Sequence, residues 1–181
     1  MKNLKKICSI LLALTLLVAL SGCGGGTSIT VISREEGSGT RSAFVELTGI
    51  EQDDIDRTTA TAEINSSTAV VMQTVAGNKN AIGYISLGSL NNTVKAVSVD
   101  GVAPSVATVA DGSYPIARPF NVATKEGLSD AAQDFLAFIL SDAGQAIVTD
   151  HGCVSTASTG AFTSTNPSGT VSVSGSSSVA T

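Results

Sequence analysis

ITVISREEGSGTR, residues 29–41, is the stretch on which the reading turns. Extended back to residue 27 it gives TSITVIS, a run of β-branched residues that predicts a strand. REEGSGT (34–40) follows as a turn, with Gly37 and Gly39 free to take dihedrals that other residues avoid. A helix is then expected, with Thr40 as its cap, Ala43, Phe44 and Leu47 on one face, and Gly49 at its end. Such a handover leaves the backbone N–H groups from Ser38 to Arg41 without intrahelical partners, in the positive potential of the helix dipole. A tetrahedral oxyanion is the natural occupant. Ser38 and Thr40 add hydroxyl donors, Gly39 presents no side chain, and Arg34 or Arg41 can supply a planar cationic fork. No Lys-Ser/Thr follows at the spacing of a Walker loop, and the glycines do not form a dinucleotide fingerprint. The plainer alternative is an ordinary helix cap beside a solvated arginine.

Working outward, Asn65-Ser66-Ser67 can cap a second helix, with Ala69, Val70, Met72, Val75 and Ala76 as its apolar residues and Gly77 beyond its end. Residues 81–87 (AIGYISL) and 94–99 are strand candidates. So is 116–123 (IARPFNVA), which Pro119 restricts to an edge or a crossover. Ser129 opens the clearest helix: Ala132, Phe135, Leu136 and Ile139 recur at helical spacing, and Asp130 suits the first turn. Residues 141–149 continue as a short helix, ending at a polar His151 with a capping role. From residue 155 the chain becomes small and polar, as linkers do, and it closes with an alternating TVSVS strand (170–174) and GSSSV (175–179). Strands interleave with helices throughout, so the fold class is α/β.

At the amino terminus a basic start (Lys2, Lys5, Lys6) precedes a short apolar run, residues 7–20. Fourteen helical residues cover about 21 Å, less than the roughly 30 Å of a hydrocarbon core. A signal peptide over 1–22 fits better than a membrane span. The run ends Leu20-Ser21-Gly22-Cys23, which resembles a bacterial lipobox with Cys23 as the acylated residue. Removing 1–22 takes those three lysines from ten basic groups and leaves seven against fifteen acids, a charge of −8. That balance argues against nucleic-acid binding, which needs a basic face. Cys153 is then the one thiol of the folded part; it can form no internal disulfide and is expected to be a buried small hydrophobe.

Residues 29–44, ITVISREEGSGTRSAF, resemble the segment that begins the second lobe of periplasmic phosphate-binding proteins, the substrate-binding subunits of phosphate ABC transporters. Residues 66–87, 114–122 and 135–154 are similar to successive segments of that family. The resemblance implies a periplasmic-binding-protein-like (type II) lobe with a partial second lobe. It further implies that Arg34, Ser38, Gly39 and Thr40 contact phosphate; Arg41 matches a position that is often basic and inherits no contact. The family's opening strand and Ser-rich turn look like residues 169–179 here, at the other end of the chain. The first-lobe body with its ligand-binding Asp has no counterpart. Three explanations stand side by side: a fragment of a tandem-module protein, a partial circular permutation, or a shortened or misassembled reading frame. The expected organisation is a signal peptide (1–22), a tether (23–28), a second-lobe-like unit (29–95), a return crossover with first-lobe helices (96–154), a linker (155–168) and a first-lobe-like strand and turn (169–181). On that plan residues 170–174 pair into the first-lobe sheet and Ser177 and Ser178 face the anion.

The function so implied is that of a lipid-anchored protein at the extracytoplasmic face of the cell membrane. It captures inorganic phosphate and passes it to the permease subunits of an ABC transporter. Phosphate near neutral pH carries a proton and sulfate does not, so losing a carboxylate acceptor should blunt discrimination between them. Binding is expected to be weak, roughly millimolar. Such a protein makes and breaks no bond, so no enzyme activity, cofactor or metal is expected. Asp53, Asp54, Asp56 and Asp111 lack His or Cys companions and read as solvated surface. The alternative is a surface sensing or interaction module, or a truncated tandem-domain fragment, with weak or no anion binding.

Overall fold

The computed structural model describes residues 28–155 and 157–179. The expected signal segment (1–22), Cys23 as the expected lipidation site and the first residues of the expected tether lie outside the described residues.

β1 (Thr30–Arg34) is the central strand of a three-stranded parallel sheet, flanked by β4 (Glu63–Asn65) on one side and β5 (Ala81–Ile82) on the other. Ile32, Ser33 and Arg34 pair with Glu63, Ile64 and Asn65, while Thr30 and Val31 pair with Ala81 and Ile82. Parallel strands need crossovers. α1 (Gly39–Leu47) leads from β1, and α2 (Thr68–Gly77) joins β4 to β5. Between α1 and β4 a small antiparallel hairpin, β2 (Glu51–Gln52) and β3 (Ile55–Asp56), turns on Asp53 and Asp54, both at positive φ. Ile32, Val45 and Val71 are the fully buried apolar side chains, one each from β1, α1 and α2. Gly83 permits this packing, because a Cβ there would lie 2.9 Å from a Val71 methyl.

The caps decide where the helices begin. Ser38, not Thr40, caps α1: its backbone is extended (φ −68, ψ 122) and its hydroxyl accepts from the Arg41 N–H. Ser129 caps α4 (Asp130–Leu140) and Ser141 caps α5 (Asp142–Asp150) through hydroxyls that accept from Ala132 and Gly144. The α4–α5 corner requires Gly144, where a Cβ would come within 2.2 Å of the Phe138 carbonyl. His151 is the C-cap of α5, as expected from its position. A five-residue helix, α3 (Val106–Ala110), was not expected; Ser105 and Thr108 start it with a reciprocal capping box.

Strands depart most from expectation. Of residues 81–87 only Ala81–Ile82 joins the sheet. Beyond it the Tyr84 hydroxyl takes the Arg34 N–H, in place of a backbone ladder. Residues 94–99 form no strand; Val99 only bridges Val102 across a turn at Asp100 and Gly101, both at positive φ. Residues 116–123 are irregular, as suits a segment whose Pro119 has no N–H to give. Residues 170–174 are likewise not a strand: no strand among the described residues pairs with them. Cys153 is half-buried rather than buried.

Residues 157–168, from the stretch expected as a linker (155–168), are strapped along α4 together with Gly169. Thr159 N–H donates to the Leu140 carbonyl and Asp142 N–H to that of Gly160. Phe162 meets Phe138 edge to face at 5.2 Å. Asp134 accepts from the Ser164 hydroxyl (2.7 Å), the Thr165 N–H (2.8 Å) and the Thr165 hydroxyl (3.1 Å). The strap runs from the end of α4 toward its start, where Gly169 lies against Ala131, and so carries the last residues back to the β1–α1 turn.

Candidate functional site

β1 ends at Arg34, and α1 begins five residues later at Gly39. Arg34 is 2 % exposed and every direction of its guanidinium is engaged. Nε and Nη2 donate to the two carboxylate oxygens of Glu35 at 2.9 and 3.0 Å. Nε also reaches the Asn65 carbonyl, Nη2 the Ser66 carbonyl and Nη1 the Thr68 hydroxyl. The side chain therefore ties the end of β1 to the β4–α2 junction. Its hydrogen bonds to Glu35 are the main cause holding that carboxyl below its ordinary range. On the backbone side, the Tyr84 hydroxyl accepts from the Arg34 N–H at 2.9 Å and lies 2.8 Å from the Ser33 hydroxyl. Its ring stacks on Phe44 of α1 with centroids 4.2 Å apart.

Arg41 has a different task. Nε and Nη2 grip Asp56 of β3 (3.1 and 2.6 Å), and Nη1 donates to the Arg34 carbonyl at 2.7 Å. Asp56, expected as solvated surface, is thus a partner in an ion pair. Hydrogen bonds from Thr58, then those from Arg41, lower its pKa to about 2. Arg41 is consequently a clamp between the hairpin and the β1 terminus.

The N-terminus of α1 is capped at Arg41 by Ser38, which leaves the first N–H groups of the helix, at Gly39 and Thr40, without an acceptor among the described residues. Ser38 and Thr40 are themselves buried. Against them sits the last described turn, Ser177–Val179. Ser178, 6 % exposed, places its hydroxyl 2.5 Å from that of Thr40. Ser176 lies so close to Gly39 that a Cβ at Gly39 would stand 2.9 Å from it. Arg118 donates to the Gly39 carbonyl at 2.9 Å. The structure brings Ser38, Gly39, Thr40 and Ser178 together; Arg34 enters the same turn from β1, and the side chain of Ser177 lies outside the described atoms.

Glu35, Tyr84, Ser176 and Arg118 were not singled out by sequence. Their signals are weak, since each acts through a fold-dependent contact. An open groove of about 360 Å³ between α4 and the strap, walled by Phe135, Phe138 and Phe162, shares no residue with this turn. Among the described residues no group of His, Cys, Asp and Glu could hold a metal ion.

Fold and turn together define an α/β lobe of the periplasmic-binding kind, with a buried arginine and an open helix start at the end of its central parallel strand. Residues 15–143 match the PBP superfamily domain, and the chain belongs to that family. It is 52% identical over 157 residues to the phosphate-binding protein PstS 2 of Streptococcus pneumoniae, an alignment covering 84% of this chain and 54% of the relative. Among solved structures, a phosphate-binding protein of a phosphate ABC transporter from Streptococcus pneumoniae TIGR4 superposes with a TM-score of 0.68 at 52% identity, over 78% of this chain and 57% of that one. A putative phosphate ABC transporter substrate-binding protein from Clostridium perfringens, solved with bound phosphate, gives 0.64 at 40% identity, over 71% and 52%. The chain spans about half the length of these relatives. They are named for binding and transport, not for catalysis.

Proposed function

We propose that this chain captures inorganic phosphate at the β1–α1 turn and presents it to the permease of an ABC transporter, held at the outer face of the membrane by lipid on Cys23. The observation that carries the reading is the convergence at Thr40: the hydroxyls of Thr40 and Ser178, from segments 138 residues apart in sequence, meet in a buried position at an open helix start. Backbone N–H groups of Gly39 and Thr40 would take two phosphate oxygens, and the hydroxyls of Ser38, Thr40 and Ser178 would donate to the others. Residues 169–181 act on this reading as the first-lobe side of the site and residues 29–95 as the second. The relatives' names for phosphate binding support the choice of ligand.

The mechanism is capture without chemistry. Charge-assisted hydrogen bonds contribute about 1.5–3 kcal/mol each, and micromolar affinity needs about 8 kcal/mol in total. Three or four donors on one lobe, with Ser176 crowding Gly39, make roughly millimolar binding the expected level. Calorimetric titration of the full chain with phosphate tests this. Saturable heat at that concentration, lost in Thr40→Val, is the expected result; the absence of saturable heat, or an unchanged Thr40→Val, would refute it. The second reading, a surface sensing or interaction module with little anion binding, draws on the same crowding and on the occupied fork of Arg34, and an empty titration would favour it.

A further inference from the structure

A guanidinium this deeply buried requires a counter-ion, because an unpaired charge away from water is strongly unfavourable. Glu35 meets that need, with two parallel bonds to Nε and Nη2. Neighbouring side chains on a strand point to opposite faces, but β1 ends at Arg34, and the turn lets Glu35 fold back onto it. The side-by-side pattern is the one the same fork offers to two oxygens of a phosphate. Among the other acceptors, the Asn65 and Ser66 carbonyls and the Thr68 hydroxyl are neutral and built into the β4–α2 junction, so they cannot leave without breaking it. The Glu35 side chain is 36% exposed and can swing into water. Replacing one anion by another keeps the guanidinium paired throughout.

We infer that Glu35 is the resident counter-ion of Arg34 and that an arriving phosphate displaces it, so the chain's own carboxylate competes with the ligand for one fork and sets its affinity. The inference rests on the phosphate reading above. Glu35 acts through Arg34 and is a positioning residue that weakens binding; a purely structural partner would strengthen it.

The test is calorimetric titration of the full chain with inorganic phosphate, wild type beside Glu35→Gln. Glutamine keeps the shape and removes the charge, and phosphate should bind it about tenfold more tightly. The variant should also melt lower than wild type without phosphate and gain more in Tm when phosphate is added, since the ligand then supplies the missing counter-ion. Should the variant fail to fold, wild type with ¹³C-labelled glutamate answers the same question: the Glu35 carboxyl resonance should move along the phosphate binding curve. A Glu35→Gln that binds no tighter than wild type, or a Glu35 resonance that stays still while heat reports binding, overturns the competition and leaves the phosphate reading standing. Wild type and variant both without saturable binding would remove that reading and the competition with it.

Discussion

Two segments of this chain are rich in β-branched residues and read as strands, ITVIS at 29–33 and TVSVS at 170–174. The first contributes most of the central strand of the sheet, with neighbours on both edges; the second runs without a ladder, held through what precedes and follows it. What separates them is company. β4 and β5 reach β1 because α2 returns the chain parallel to it, and each pairing satisfies backbone groups that would otherwise seek water. Residues 170–174 meet no such edge. Their neighbours are positioned by side chains instead: Asp134 and Phe138 hold the strap, and Thr40 holds Ser178. One region is fixed by backbone pairing with a buried ion at its end, the other by a few lateral bonds.

The largest expected effect comes from breaking the first region at Arg34. Arg34→Ala removes bonds to the Asn65 and Ser66 carbonyls and to Thr68, and leaves part-buried acceptors without their donor at the β1–β4 seam. The loss should be about 2–3 kcal/mol, read as a lower urea midpoint. A midpoint within experimental error of wild type would show that the arginine is not the tie between these strands. In the second region the corresponding change is smaller and local. Asp134→Ala releases three bonds to Ser164 and Thr165, and limited proteolysis within 157–169 should speed up several-fold with little change in the global unfolding midpoint. If cleavage and midpoint move together instead, the strap is part of the same cooperative unit as the sheet, and the contrast between the regions dissolves.

The same contrast explains what could be read in advance. Helices announce themselves locally: Ser129 and Ser141 cap where a serine precedes an apolar period, and Gly49, at positive φ just past α1, stops it. The turn 34–40 was legible because its glycines and hydroxyls crowd into seven residues, although Ser38 rather than Thr40 took the cap. Strands at 94–99, 116–123 and 170–174 were illegible as failures, since alternation records a willingness to pair and not the presence of a partner. In the site, Arg34, Ser38, Gly39 and Thr40 stood out by type and spacing. Glu35 did not, because a residue adjacent to a strand arginine should face away, and only the end of β1 at Arg34 lets it fold back. Tyr84 and Asp56 reach the turn from 50 and 15 residues away, across contacts that only the folded sheet and hairpin create.

Acid gives the mildest perturbation and separates the clamp at Arg41 from the fork at Arg34. Asp56 drops from an ordinary 3.8 to about 2 through bonds from Thr58 and then Arg41. A carboxyl whose pKa is lower folded than unfolded adds stability that is fully present above the unfolded value and disappears as pH falls through the folded one. The Asp56 contribution therefore fades between about pH 4 and pH 2. Glu35, Asp111 and Asp134 are lowered too, and their contributions have the same sign. Asp56→Asn isolates the clamp: above pH 5 it should melt a few degrees below wild type, and the two melting curves should converge as pH falls toward 2. A gap that stayed constant with pH would mean that the charge on Asp56 adds no stability, and that Arg41 is anchored sufficiently by the Arg34 carbonyl.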